Sequence, residues 1–504
     1  MIVKGASIVF VGFIISKFFS YLYRLFIARY FGPTDYGLFS LGLAVLGLFT
    51  TIALLGLSSA VIRYTAYYKA KNDERRVKGT ITSSLKMALP FSILLSILLI
   101  ILSPYLAVNL FQEQELMGVL IILSFSIPFS TLFYIFVSVF VGFKRIKYQV
   151  YSENIFSNLA KLIFITIFGI LGFGVLGITW AFTLSVFLSF LVSIYFLGKV
   201  YPILKTKVVS IPLRGELLRY SLPLTFMFFM GFIILWTDTI MLGYFKSASD
   251  VGIYNAAVPT AQLLLLFPNA LTCLFLPIIT GLHARGKKKE LESIYKTITR
   301  WIFYINFPVF LLMILFSRQI LNLLFGPVYI SGYMSLVILS FGFLLHKNIL
   351  AIRILEMLKK TRHLMYITII CSVTNVTLNY LLIPIYGITG AAVATVATQI
   401  VMYCLLLLFS YHFTKMIPFS MNMIKSVISG IVAIAITHSV ARLLFSTFSV
   451  YTMAVLFFIF ISLYIFTILL LRSFKREDIE IMKAIERKSG IRIAFLRKTI
   501  KRFV

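Results

Sequence analysis

Asp35-Tyr36-Gly37-Leu38-Phe39 follows one long apolar stretch, and Asp250-Val251-Gly252-Ile253-Tyr254 follows another about 215 positions later. A second pair keeps nearly the same offset. Phe173-Gly174-Val175-Leu176-Gly177 matches Tyr386-Gly387-Ile388-Thr389-Gly390, and a small-residue apolar run follows each copy. Two landmarks at one spacing make about the first four-fifths of the chain a single unit written twice. Among membrane proteins, duplicated halves are the architecture of carriers that rock around a central site.

Composition decides the solvent. Hydrophobic residues make up 60% of the 504 and charged residues 12%, with a mean hydropathy of +1.00. No soluble fold of this length hides that much apolar surface. About fourteen stretches are long enough to cross a hydrocarbon core of roughly 30 Å. Each is expected to be a helix, because lipid offers no partner to a free backbone amide. The expected fold is therefore an all-α polytopic membrane protein with about 14 transmembrane helices. Two pseudo-symmetric six-helix bundles would occupy residues 1–205 and 206–413, with two further helices at 414–472. A basic amphipathic tail, 473–504, would lie on the anionic inner leaflet. The first span exceeds a signal-peptide core and is expected to stay as an anchor.

The net charge of +31 invites a nucleic-acid reading, but its distribution argues against one. Basic residues collect in alternate loops: Lys69 to Lys78, Lys144 to Lys147, Lys199 to Arg214, Arg285 to Lys289, Lys359 to Arg362, then Lys415 and Lys425. The intervening loops hold Glu113, Glu115 and isolated Lys246, Arg318 and Arg442. That alternation is the positive-inside rule, and it puts both termini in the cytosol. Cys273, Cys371 and Cys404 have no metal-ligand spacing, and the five histidines form no metal or triad pattern. No phosphate-cradling Gly loop follows a strand. Neither a cofactor nor a nucleic-acid partner is expected.

Ionisable residues inside the spans are costly, so each should face a polar cavity or a partner. Lys17 and Arg24 lie seven apart, about two helical turns, and so share one face. Lys161 lies in the fifth span; Lys347 and Arg353 lie in the tenth. Against them stand Asp238 in the seventh span and Glu356 near the end of the tenth. Arg353 and Glu356 are three apart and can pair with each other, and Asp238 can bridge to Arg24. Lys347 is too deep to reach the interface easily. Pro223, and Pro259, Pro268 and Pro277 in the eighth span, permit either hinges or static kinks.

Arg24-Leu25-Phe26-Ile27-Ala28-Arg29-Tyr30-Phe31-Gly32-Pro33-Thr34-Asp35-Tyr36-Gly37-Leu38-Phe39 resembles the opening signature of the polysaccharide-biosynthesis (Wzx-type) lipid-linked oligosaccharide flippases. Their superfamily also holds multidrug and toxin extruders and the lipid II flippase. Further similar blocks are Leu218-Arg219-Tyr220-Ser221-Leu222-Pro223-Leu224, Asp238 with Leu242-Gly243-Tyr244-Phe245, and Asn375 to Gly387 with Gly390-Ala391-Ala392. The resemblance runs to about Phe413. One departure is Thr239, where the family often carries a basic residue after the aspartate.

The resemblance implies two bundles around a cavity open alternately to each side of the cell membrane. Its cargo would be a polyprenyl or dolichyl diphosphate bearing a short glycan, carried to the outer leaflet. A diphosphate brought to the bilayer midplane needs fixed positive charge, which Arg supplies through a planar multi-donor fork and Lys as a point charge. Arg24 is the expected main contact, helped by Lys17, Lys161, Lys347 and Arg353. Asp238 is the deep carboxylate available for H+ or Na+ coupling. The expected partners are thus the lipid-linked oligosaccharide diphosphate, membrane lipids and a coupling ion, with the chain acting as a monomer. A multidrug extruder is the alternative, although organic-cation export favours acidic cavities. An enzyme is not expected: no external loop exceeds roughly fifteen residues to carry catalytic acids.

Overall fold

The structure is a computed structural model that describes residues 2–202, 208–345, 349–444, 450–474 and 478–479. Every regular element among these residues is helical. In chain order they are α1 (Ile2–Ala53), α2 (Leu57–Ala70), α3 (Glu74–Pro104), α4 (Leu116–Ser124), α5 (Ser126–Gly142), α6 (Ile146–Gln149), α7 (Ser157–Ile170), α8 (Gly174–Val200) and α9 (Arg214–Phe245). There follow α10 (Ala248–Ala261), α11 (Leu266–Ala284), α12 (Lys288–Leu315), α13 (Ser317–Phe325), α14 (Tyr333–Leu345), α15 (Ile349–Met357), α16 (Thr361–Thr414), α17 (Asn422–Leu444) and α18 (Val450–Leu470).

Among the described residues, ten helices are long and apolar enough to cross a membrane. The bent pair α4 and α5 makes an eleventh if it counts as one span. The chain is a multi-pass membrane protein. Helix number and span number differ because α1 and α16, at 52 and 54 residues, each run through a kink and hold two expected spans. Gly32, with φ at +82°, breaks α1, and Pro33 opens its second half, a place where a missing amide hydrogen is no loss. The eighth expected span divides after Pro259 into α10, a 3-10 turn at Gln262–Leu265, and α11.

The repeat is visible in the backbone. Gly387 breaks α16 with φ at +55°, and its counterpart Gly174 opens α8 with φ at +59°. This left-handed conformation is cheap only for glycine, so both copies need a glycine at the start of the helix that follows. In the second copy, Asp250 has a local task at the start of α10. It accepts from the Ser247 hydroxyl at 2.8 Å, and its amide donates back to that hydroxyl at 3.2 Å. This reciprocal cap satisfies amide groups that the first helical turn leaves unpaired.

The chain packs as two units. One comprises residues 8–256 and 372–394; the other comprises 1–7, 257–371 and 395–504. The first has a core of Leu57, Val61, Ile81, Val139, Phe140 and Leu217 from α2, α3, α5 and α9. The second buries Phe275, Ile279, Tyr295, Leu350, Ile354 and Met416 from α11, α12, α15 and the segment after α16. These units are packing neighbourhoods, whereas the 1–205 and 206–413 bundles describe the sequence repeat. The two divisions do not coincide. The tail's residues 475–477 and 480–504 lie outside the described residues.

Candidate functional site

Small residues bring the first helix against the helix that follows residue 145. A Cβ at Gly12 would meet the Val150 side chain, and one at Gly169 would meet the Phe26 ring at 2.8 Å. Between these contacts, Asn158 of α7 donates to the Ser16 hydroxyl of α1 at 3.0 Å. Just before α7, Val150–Phe156 forms a π-helical turn. One such widened turn shifts the face that later residues present, which affects Asn158 and Lys161.

Lys17, Arg24 and Lys161 converge here. Lys161 is partly buried, with its Nζ 5.0 Å from the centre of the Phe182 ring. Its electrostatic neighbours are Tyr23, Arg24 and Glu153. Lys17 is exposed and interacts with Arg24 and Tyr23. Arg24 is partly buried, and its guanidinium hydrogen-bonds the Tyr23 and Tyr36 hydroxyls. Glu153 is a carboxylate neighbour of Lys161, and it accepts from Gln149 at 3.1 Å. Of the five ion pairs among the described residues, none includes Lys17, Arg24 or Lys161. The arrangement is three basic side chains, hydroxyl donors and one acid, which is chemistry for a multiply charged anion.

Asp238 occupies a different setting. It is 6% exposed and accepts from the Tyr254 hydroxyl at 2.8 Å and the Asn379 amide at 2.7 Å, with the Asn375 amide at 3.4 Å. The side-chain carbonyl oxygens of Asn375 and Asn379 are buried without a hydrogen-bond partner. A carboxylate beside two such oxygens offers the ligands a hard cation takes. Neighbouring Thr239 accepts from the Asn255 amide at 3.2 Å. The departure at position 239 thus places a hydroxyl where the resemblance would put a positive charge.

The two copies of the aspartate-glycine motif touch each other. A Cβ on Gly37 would fall on the Ala248 carbonyl, and one on Gly252 would fall on the Pro33 carbonyl. Only residues without a side chain permit this reciprocal approach. The Tyr36 hydroxyl donates to the Asn255 carbonyl at 3.0 Å, and Glu113 accepts from the Ala248 amide at 2.8 Å. Tyr36 therefore contacts Arg24 on one side and Asn255, the partner of Thr239, on the other.

Arg353 pairs with Glu356 at 2.7 Å, the local alternative that their spacing allowed. Lys347 lies outside the described residues. Sequence reading missed Tyr23, Tyr36 and Glu153 around the cations, and Tyr254 at Asp238. Tyr36 and Tyr254 both sit in the repeated motif, and Asn375 precedes Asn379 by one helical turn. Those were the signals available.

A family model described as Polysaccharide biosynthesis protein matches residues 2–283, and the MatE model matches residues 223–381. The capsular polysaccharide biosynthesis protein CapF of Staphylococcus aureus is 24% identical over 431 residues, covering 82% of this chain and 100% of that protein. The membrane protein MJ1068 of Methanocaldococcus jannaschii is 27% identical over 421 residues, covering 80% of this chain and 82% of that protein. The solved structure of the lipid II flippase MurJ, in an inward closed conformation, matches with a TM-score of 0.73 at 18% identity. That match covers 91% of this chain and 98% of the other, and it establishes a shared fold. More than half the chain is matched by the first family model. The chain therefore belongs to the polysaccharide biosynthesis protein family, in the superfamily that also holds the multidrug and toxin extruders.

Proposed function

We propose that this protein is a flippase, moving a polyprenyl- or dolichyl-diphosphate-linked oligosaccharide from the cytosolic to the outer leaflet for surface polysaccharide or glycan assembly. The observation that carries the reading is the group of Lys17, Arg24 and Lys161, none of which enters an ion pair among the described residues. A diphosphate crossing hydrocarbon must exchange its water shell for charged donors, and an excess of basic side chains supplies them. Arg24 takes the diphosphate through its fork, with the Tyr23 and Tyr36 hydroxyls orienting the guanidinium. Lys17 and Lys161 add point charge. Arg353, freed from Glu356, and Lys347 are secondary contacts on the path. A MurJ-like fold and relatives named for polysaccharide biosynthesis support the same reading, which needs no catalytic group.

In this reading fourteen spans divide into lobes at 1–205 and 206–413, helices at 414–472 and a tail at 473–504, with both termini cytosolic in the cell membrane. The chain works as a monomer. The lobes give alternating access, and the Gly37–Gly252 contact closes the outer side and parts when that side opens. A dianion leaving a negative interior gains about 4–5 kcal/mol per 100 mV if it moves uncompensated. Returning the empty carrier falls to H+ or Na+ bound at Asp238, whose unpartnered Asn375 and Asn379 oxygens suit that task.

The MatE match over residues 223–381 favours a second reading, a multidrug extruder coupled to cations. The basic character around Arg24 opposes it, because an organic cation would be repelled there. The deciding experiment follows a labelled lipid diphosphate sugar across reconstituted liposomes, beside a cationic dye. Movement of the lipid, lost in Arg24→Ala, supports the flippase. Dye export with normal lipid movement in Arg24→Ala refutes it.

A further inference from the structure

The ends of α16 return to the same place. His363, in its first turn, stacks at 5.1 Å on the Phe409 ring and at 5.1 Å on the Phe413 ring from its last turns. Beside this stack is a cavity of about 470 Å³ lined by His363, Leu408, Phe409, His412, Phe413 and Lys415, with Tyr411. Lys360 lies with its Nζ 4.4 Å from the Phe413 ring centre, and Lys415 with its Nζ 5.3 Å from that of Tyr411. The lining includes no acid, and among the described residues neither lysine enters an ion pair. The His363 Nδ1 is buried without a hydrogen-bond partner. Leu408 and Tyr411 are exposed.

We infer that this slot binds the phosphate headgroup of an anionic phospholipid from the leaflet that borders these helix ends. Each feature has a use for that ligand. Two ammonium groups held over aromatic rings keep their charge available to a phosphate instead of spending it on a carboxylate. The exposed His412 imidazole in the lining offers a polar contact. The aromatic and leucine walls suit the glycerol and the first acyl carbons, as tyrosine does at membrane interfaces generally. The volume fits a headgroup, and basic pockets between helix ends are recognised phospholipid sites. The basic loops at 359–362 and 415–425 make this the cytosolic leaflet. The lining shares no residue with the transport site, so the inference is independent of the flippase reading.

The test is native mass spectrometry of the purified full chain with phosphatidylglycerol, phosphatidylcholine, a polyprenyl phosphate or inorganic phosphate. Wild type retains phosphatidylglycerol about tenfold or more over phosphatidylcholine, and Lys360→Ala/Lys415→Ala removes that preference. His412→Ala weakens retention by a smaller factor. Lys288→Ala/Lys289→Ala, equal in charge change but at the start of α12, leaves the preference within about twofold. Equal loss in that control means bulk surface charge and refutes the site. Undiminished preference in Lys360→Ala/Lys415→Ala refutes it as well. Displacement of phosphatidylglycerol by inorganic phosphate, or by polyprenyl phosphate at lower concentration, overturns the assignment of the occupant. A rise in melting temperature with phosphatidylglycerol, present in wild type and absent in Lys360→Ala/Lys415→Ala, is the second readout.

Discussion

Arg24 and Arg300 are both arginines in apolar helices, and the protein treats them in opposite ways. Arg300 is 1% exposed and forms an ion pair with Asp478, which also accepts from the Trp301 indole at 2.7 Å. Around it the Tyr304 hydroxyl donates to the Ser473 carbonyl at 3.0 Å, and Asn422 donates to the same carbonyl at 2.8 Å. This arginine fastens the chain after α18 onto α12. Arg24 has hydroxyl partners and two further cations nearby. A buried charge with a dedicated counter-ion is a structural fastener. One left among like charges is held in a costly state that a ligand can relieve.

The contrast is tested most forcefully at Arg300. Removing it as Arg300→Ala leaves Asp478 buried without its arginine, which costs about 3–5 kcal/mol and should lower the melting temperature of the detergent-purified protein. Replacing both partners with apolar residues, Arg300→Met/Asp478→Leu, should recover most of that loss. Retained stability in the single variant would mean that the pair is not a fastener. Arg24→Ala should behave inversely. Its melting temperature stays at or above that of wild type, while lipid translocation in proteoliposomes falls on the order of a hundredfold, the worth of a charged hydrogen-bonding contact. Arg24→Lys should keep a measurable fraction, since charge survives without the fork.

Smaller effects are expected at the second charged centre. Asp238→Asn should abolish the dependence of transport rate on an imposed sodium or pH gradient while leaving flow down a lipid gradient. Persistence of the ion dependence would remove Asp238 from coupling. Tyr36→Phe should be mildest, slowing translocation by about fivefold, as expected for one hydrogen bond. A Tyr36→Phe rate equal to wild type would show that Arg24 needs no orientation from the repeated motif.

Much of this was legible in the chain itself. Membrane solvation follows from composition, and the repeat that pairs Gly174 with Gly387 reappears in the backbone as nearly equal positive φ values. The convergence of Lys17 and Arg24 was readable because seven residues make two turns of one helix. Lys161 was readable only as a costly charge. Nothing along the chain says that α7 lies against α1, a fact decided by contacts at Gly12 and Gly169. The long α1 and α16 were read as separate spans because a hydropathy window cannot distinguish a kink from a loop. The partner of Arg300 lies 178 positions away, beyond any periodicity.

Local and periodic quantities were set along the chain: which residues seek lipid, where helices kink, which charges are expensive, and that one unit is repeated. Each depends on neighbours within a few turns or on a whole-chain average. Partnership required the folded molecule. The meeting of Gly37 with Gly252, the hydrogen bonds of Tyr254 and Asn379 to Asp238 and the unequal fates of two arginines all join residues distant in sequence. Such contacts come from packing complementarity among many helices at once, and no single helix encodes it.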